Sequence, residues 1–146
     1  MIVSTAELRA HRGAVTMVDG GFDPLHPGHL AYFRAAEALG LPVLCNVSGD
    51  DWVTLKHRPL LTQTQRGELI DAIRHVQLVH LAATPTATVL SELRPRYYAK
   101  GEDWRDRLPA EELRLCAEHG IEVVYLETVL DSSTAILARY DGDRVD

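Results

Sequence analysis

The sequence predicts an α/β fold, a Rossmann-like doubly wound sheet of about five parallel strands with helices on both faces. Three observations predict it. Short apolar runs alternate with longer stretches of helical periodicity. The 146 residues suffice for one compact domain, and 46% of them are hydrophobic, enough for a sizeable core. Neither an internal repeat nor a low-complexity segment points to another architecture.

The first strand is expected over residues 14–18 and closes on the turn Gly20-Gly21. A helix follows over 28–39, where Leu30, Phe33, Ala36 and Leu39 recur on one face and Gly40 is the stop. The second strand spans 42–48, and Ser48-Gly49-Asp50 turns into a basic, irregular segment over 52–61 broken by Pro59. Thr62 is placed to cap a helix reaching to about residue 74. Residues 76–81 form the third strand, 84–93 a short helix, and 96–100 a fourth strand entering Gly101-Glu102-Asp103. Pro109 opens a helix over 109–119 that Gly120 ends. The fifth strand covers 121–126, and Ser132 or Ser133 caps a last helix to residue 140. Residues 1–140 thus form the domain, with 141–146 as a charged flexible tail that can lead into a further domain of a longer chain.

Parallel strands of this kind are joined by right-handed crossovers, and ligands bind beyond their carboxyl ends. Loops 20–29, 100–106 and 127–134 lie at those ends and are expected to share one cleft. The formal net charge of −6 argues against a nucleic-acid surface, which needs a basic face. A nucleotide remains compatible, because a few local cations and backbone N–H groups hold a triphosphate. Cys45 and Cys116 sit in apolar segments without metal-type spacing and read as reduced core thiols. No window reaches the roughly 18 apolar residues of a membrane span, and no signal-peptide pattern opens the chain. A cytoplasmic protein without a membrane partner is expected.

The chemistry concentrates in Gly20-Gly21-Phe22-Asp23-Pro24-Leu25-His26-Pro27-Gly28-His29, between a strand and a helix. Two histidines three residues apart at a helix start can face one ligand, with the helix's unpaired N–H groups behind them. Gly28 keeps side-chain bulk away from an approaching phosphate, and Gly20 and Gly21 permit a tight backbone. Attack on an α-phosphate builds negative charge on its oxygens and on the departing pyrophosphate, which such donors stabilise.

These residues resemble the signature of the HxGH nucleotidyltransferase superfamily, which includes glycerol-3-phosphate cytidylyltransferases and heptose-phosphate adenylyltransferases. Arg58-Pro59-Leu60 with Arg66, and Asp131-Ser132-Ser133-Thr134-Ala135-Ile136, resemble two later blocks of the family, so the resemblance runs from about residue 14 to 140. It implies that His26 and His29 are catalytic, joined by Lys56, which reaches the phosphates. It implies that Gly20, Gly21, Phe22, Asp23 and Gly28 surround the nucleotide, and that Lys100, Gly101 and Asp103 hold its base and ribose. Ser132, Ser133 and Thr134 would bind the β- and γ-phosphates. Arg58, Arg66 and Trp52 fall on the acceptor side. Asp23 either orients backbone or a magnesium-bound water, or simply holds the turn; Trp104 either packs on the base or belongs to the core. No protein metal ligands are assigned, and Mg²⁺ enters with the triphosphate.

The loop Gly101-Glu102-Asp103-Trp104 resembles the glycerol-type cytidylyltransferases, whereas Lys100-Gly101 resembles the heptose type. The segment Glu127-Thr128-Val129-Leu130 departs from both, lacking an arginine that the glycerol type carries there. The chain is also similar to the cytidylyltransferase domain fused to a phosphoenolpyruvate mutase in fosfomycin biosynthesis. The expected reaction is therefore transfer of CMP from CTP to a small phosphonate, such as 2-hydroxyethylphosphonate, or to a phosphate monoester, with release of pyrophosphate. An ATP-dependent heptose-phosphate-type adenylyltransferase and a non-catalytic nucleotide-binding module are the alternatives. A homodimer is expected from the family.

Overall fold

The computed structural model describes residues 1–127 and 133–142. Its strands are β1 (Ile2–Val3), β2 (Thr16–Gly20), β3 (Val43–Val47), β4 (Leu78–Leu81), β5 (Tyr97–Gly101) and β6 (Glu122–Leu126). Its α-helices are α1 (Pro27–Glu37), α2 (Asp50–Thr54), α3 (Gln63–Asp71), α4 (Thr86–Leu93), α5 (Ala110–His119) and α6 (Ser133–Gly142). A 3-10 helix covers Thr5–His11. The strands form one parallel sheet in the order β1-β4-β3-β2-β5-β6.

All five expected strands are present. A sixth, β1, adds to the edge by pairing Ile2 with Val79 and Val3 with His80. Part of the stretch read as a turn and irregular segment is the short helix α2. The last helix continues through Gly142, so residues 141 and 142 belong to it rather than to a tail.

Local chemistry accounts for the helix starts. Thr62 Oγ1 accepts from the Gln65 N–H at 3.2 Å while Gln65 Oε1 accepts from the Thr62 N–H at 3.0 Å, a reciprocal cap that sets the start of α3. Ser4 and Glu7 repeat the device at 3.3 and 3.1 Å ahead of the 3-10 helix. Gly120, at φ 68, supplies the left-handed residue that ends α5.

The sheet separates two apolar layers. On one face Met17, Leu44 and Tyr98 pack with Leu8, Leu90, Leu93 and Cys116 from the 3-10 helix, α4 and α5. On the other, Val18, Cys45 and Val79 pack with Phe33 of α1 and Ile70 of α3. Both cysteines are buried free thiols, and desolvation pushes Cys116 up to about 11, so neither is poised as a nucleophile. No described helix is long and apolar enough to cross a membrane.

The chain winds outward from β2 through β3 and β4, then returns to lay β5 and β6 on the far side of β2. The winding reverses between β2 and β5, where a doubly wound sheet opens its crevice. The β2–β5 ladder consists of Thr16↔Tyr97 and Met17↔Tyr98 alone. Just beyond it the buried Tyr32 hydroxyl of α1 donates to the Ala99 carbonyl of β5. Tyr32→Phe is expected to orphan that carbonyl and destabilise the protein by about 1–3 kcal/mol. A urea midpoint equal to that of the parent would show that the bond contributes nothing.

Candidate functional site

A cleft of about 1210 Å³ opens at the carboxyl ends of β2, β3 and β5, beside the first turns of α1 and α4. It brings together twelve of the expected site residues: Gly20, Gly21, Phe22, Asp23, His26, Gly28, His29, Trp52, Lys56, Lys100, Gly101 and Asp103.

The histidines build the start of α1 themselves. His26 holds extended backbone at φ −149 and ψ 170, and Pro27 begins the helix with its φ already set. His26 Nδ1 accepts from the Gly28 N–H at 3.0 Å, and His29 Nδ1 accepts from the His26 N–H at 3.3 Å. This is a capping box made of imidazoles. Because each Nδ1 is an acceptor, each neutral ring carries its proton on Nε2. The rings stack with centroids 3.7 Å apart and planes 25° from parallel. Burial, and then the neighbouring His26, push His29 down to about 3, so it stands neutral at pH 7. The site thus offers two imidazole N–H donors at a helix N-terminus.

Phe22 meets His29 edge-on, with centroids 4.9 Å apart. In Gly20-Gly21-Phe22 the left-handed residue is Phe22, at φ 55, rather than either glycine. A bulky residue there is strained, and its surroundings hold it. The glycines serve close approach instead. A Cβ on Gly20 would lie 3.1 Å from the Phe22 ring, and one on Gly21 3.2 Å from Val53 Cγ2.

Asp23 is 3% exposed and accepts from the Leu60 N–H at 2.7 Å and the Leu61 N–H at 3.2 Å. These bonds clamp the first loop to the segment before α3. Arg66 lies away from the acceptor side of the cleft. Expected at the acceptor, its side chain is fully buried and donates to Gly21 O at 2.7 Å, Ser48 O at 2.8 Å and Leu61 O at 3.3 Å. It also pairs with Asp50 Oδ1 at 2.7 Å. The guanidinium is spent bracing three loops from beneath. Arg58 likewise departs from its expected place, being exposed and outside the lining of the cleft. Trp52 stands 47% exposed at the rim, with the Lys56 ammonium 5.6 Å from its ring centroid. Ser133 and Thr134 open α6, and Ser132 lies outside the described residues.

Lys100 was expected at the nucleotide, but its Nζ donates to Asp19 Oδ1 at 2.7 Å, with both side chains 7% exposed. Asp19 also accepts from the Thr86 hydroxyl at 3.1 Å and lies 3.2 Å from the Tyr98 hydroxyl, which reaches Glu112 at 2.8 Å. Burial pushes the Glu112 carboxyl up. The Lys100 ammonium sits 4.2 Å from the Trp104 ring centroid, a cation–π contact. The sequence reading did not single out Asp19, Tyr98, Thr86 or Glu112 for the site. The available signal was a lone carboxylate ending an apolar strand.

Among the described residues, no group of three His, Cys, Asp or Glu side chains is placed to hold a metal ion. Asp19 and Asp23, the carboxylates nearest the histidine loop in sequence, are engaged as above.

Residues 17–139 match a family model described as cytidylyltransferase-like. The chain is 31% identical over 109 residues to the bifunctional protein HldE of Coxiella burnetii, covering 72% of this chain and 23% of that protein. It is 34% identical over 90 residues to the FAD synthase of Methanosarcina mazei, covering 61% of this chain and 60% of that protein. The chain therefore spans less than a quarter of the first relative and three fifths of the second. The lipopolysaccharide core biosynthesis protein of Thermoplasma volcanium shares the fold, with a TM-score of 0.67 at 21% identity over 79% of this chain and 97% of that one. With its parallel sheet and its paired histidines opening a helix, the chain belongs to the cytidylyltransferase-like family of nucleotidyltransferases.

Proposed function

We propose that this chain transfers the adenylyl group of ATP to a small phosphorylated acceptor and releases pyrophosphate. The observation that carries the reading is the imidazole capping box, which fixes both histidines as Nε2–H donors at the start of α1, within the cleft. Charge that grows on the α-phosphate oxygens and on the leaving pyrophosphate meets donors already in place, so little reorganisation is needed. The acceptor's phosphate oxygen is ionised at neutral pH and attacks in line without a general base. Lys56, exposed at the rim, is a mobile cation for the outgoing phosphates. Magnesium arrives as part of the substrate, since this ion keeps several waters and binds through phosphates.

The relatives favour ATP as donor. A FAD synthase, by the name of its product, handles an adenylyl group, and it matches this chain at 34% identity. Transfer from CTP to a phosphonate is the second reading, supported by the Gly101-Glu102-Asp103-Trp104 loop, of which Gly101, Asp103 and Trp104 line the cleft. Pyrophosphate release from ATP, CTP, GTP and UTP separates the two, with a heptose 1-phosphate, glycerol 3-phosphate, 2-hydroxyethylphosphonate and FMN as acceptors. Selective release from ATP is expected. Selective release from CTP would replace the donor and keep the chemistry, and no release from any pair would remove the enzyme reading.

A further inference from the structure

A second set of polar side chains reaches the cleft from the opposite face of the sheet. His80, Asn46 and Asp19 stand at one register level on β4, β3 and β2, and Lys100 of β5 is ion-paired to Asp19; the four are 1%, 1%, 8% and 6% exposed. Of these, Asn46, Asp19 and Lys100 line the cleft. His80 faces away from it, toward a small cavity beside β1 that Thr5 also lines.

His80 is held at both nitrogens. Its Nδ1 lies 2.8 Å from Asn46 Oδ1, and its Nε2 lies 2.8 Å from the Thr5 hydroxyl. Burial keeps the ring neutral, so one nitrogen donates and the other accepts. Asn46 Oδ1 can only accept, which places the proton on Nδ1 and makes Thr5 the donor to Nε2. Asn46 then has its carbonyl committed to His80 and its N–H₂ group left for the cleft.

We propose that Asn46 is a specificity-determining residue whose N–H₂ group, turned into the cleft by His80 and Thr5, donates to a hydroxyl oxygen of a polyhydroxylated phosphate acceptor. This rests on the nucleotidyl-transfer reading. In-line displacement puts the acceptor opposite the leaving pyrophosphate. With the phosphates at α1 on one face of the sheet, the acceptor approaches from the face that carries α4 and α5. There it meets a donor at Asn46, a hydroxyl at Thr86 and a cation at Lys100, groups that suit oxygens able both to give and to take hydrogen bonds. An acceptor without hydroxyls leaves the Asn46 N–H₂ desolvated and unmatched, which selects against it.

The test compares glycerol 3-phosphate and a heptose 1-phosphate with ethyl phosphate, which has no hydroxyl. Asn46→Asp keeps the volume and an oxygen for His80 but removes the N–H₂. It is expected to raise KM for the two hydroxylated acceptors about tenfold more than KM for ethyl phosphate, since the added carboxylate repels all the anionic substrates alike. His80→Phe should give the same split at unchanged kcat, and His80→Gln, which retains an N–H for Asn46, should restore it. A uniform change across all acceptors, or none, overturns the proposal. Independently of turnover, the Asn46 side-chain ¹⁵N–H₂ signal, identified by its loss in Asn46→Asp, should move on adding the hydroxylated phosphates and stay still with ethyl phosphate. No movement with either overturns the proposal even if pyrophosphate is released. Movement without pyrophosphate release keeps the contact and removes the transferase reading instead. A His80 ring found protonated at Nε2 in two-bond ¹⁵N–¹H spectra would also overturn it.

Discussion

Alanine at His26 or at His29 is expected to lower kcat about a hundredfold or more while leaving a folded protein. Removing one preorganised donor from a transition state of this type costs about 2.7–4 kcal/mol. Each substitution also breaks half of the capping box at the head of α1, worth about 1 kcal/mol of stability. The two contributions separate in His26→Asn, because asparagine is a good helix cap but lacks the Nε2–H. Its denaturation midpoint should match the parent while kcat stays depressed. Near-parental turnover in both alanine variants would remove the central claim about this site.

The same residue makes stability depend on pH. His29 falls to about 3 in the folded protein from an ordinary value of 6.5, so below pH 6.5 the unfolded chain binds the extra proton. Stability is therefore complete above pH 6.5 and declines as the pH drops toward 3. His29→Ala should flatten that decline, and an unchanged slope would show that the ring is not held neutral.

Arg66→Met is expected to cost about 3–5 kcal/mol, among the largest losses a single change can cause in this chain. Methionine fills much of the space but leaves three carbonyls and the Asp50 carboxylate without their donor. Arg66→Lys should recover little, since one ammonium cannot span a fork that reaches Gly21, Ser48, Leu61 and Asp50 together. Activity should fall with stability, because Gly21 belongs to the loop over the histidines. A urea denaturation series giving less than 1 kcal/mol for Arg66→Met would show that water replaces the guanidinium and that the brace is dispensable.

Sequence legibility followed the range of the forces involved. The Thr62 cap, the Gly120 stop and the glycine–histidine loop are local chemistry, visible within a few residues. The Ser4-x-x-Glu7 capping box was equally local and was the available sign of the 3-10 helix. β1 has two residues, too few for any periodicity, and exists because β4 offers it an edge. The roles of Arg66, Asp19 and Lys100 were not legible, because all of their hydrogen-bond partners but Leu61 lie 16 to 81 residues away in the chain. An arginine one turn into a polar helix reads alike whether it meets solvent or three loop carbonyls.

The alternation of side chains along β2, β3, β4 and β5 also bears on how such a chain diverges over generations. His80, Asn46, Asp19 and Lys100 share one side of the strands, while their neighbours Val79, Cys45, Val18 and Ala99 belong to the layer beneath α1 and α3. Substitutions at the first four positions leave that second layer, and the helix that carries the histidines, in place. On the proposed function, replacing one of these four side chains changes the wall that meets the acceptor while the histidine loop stays as it is.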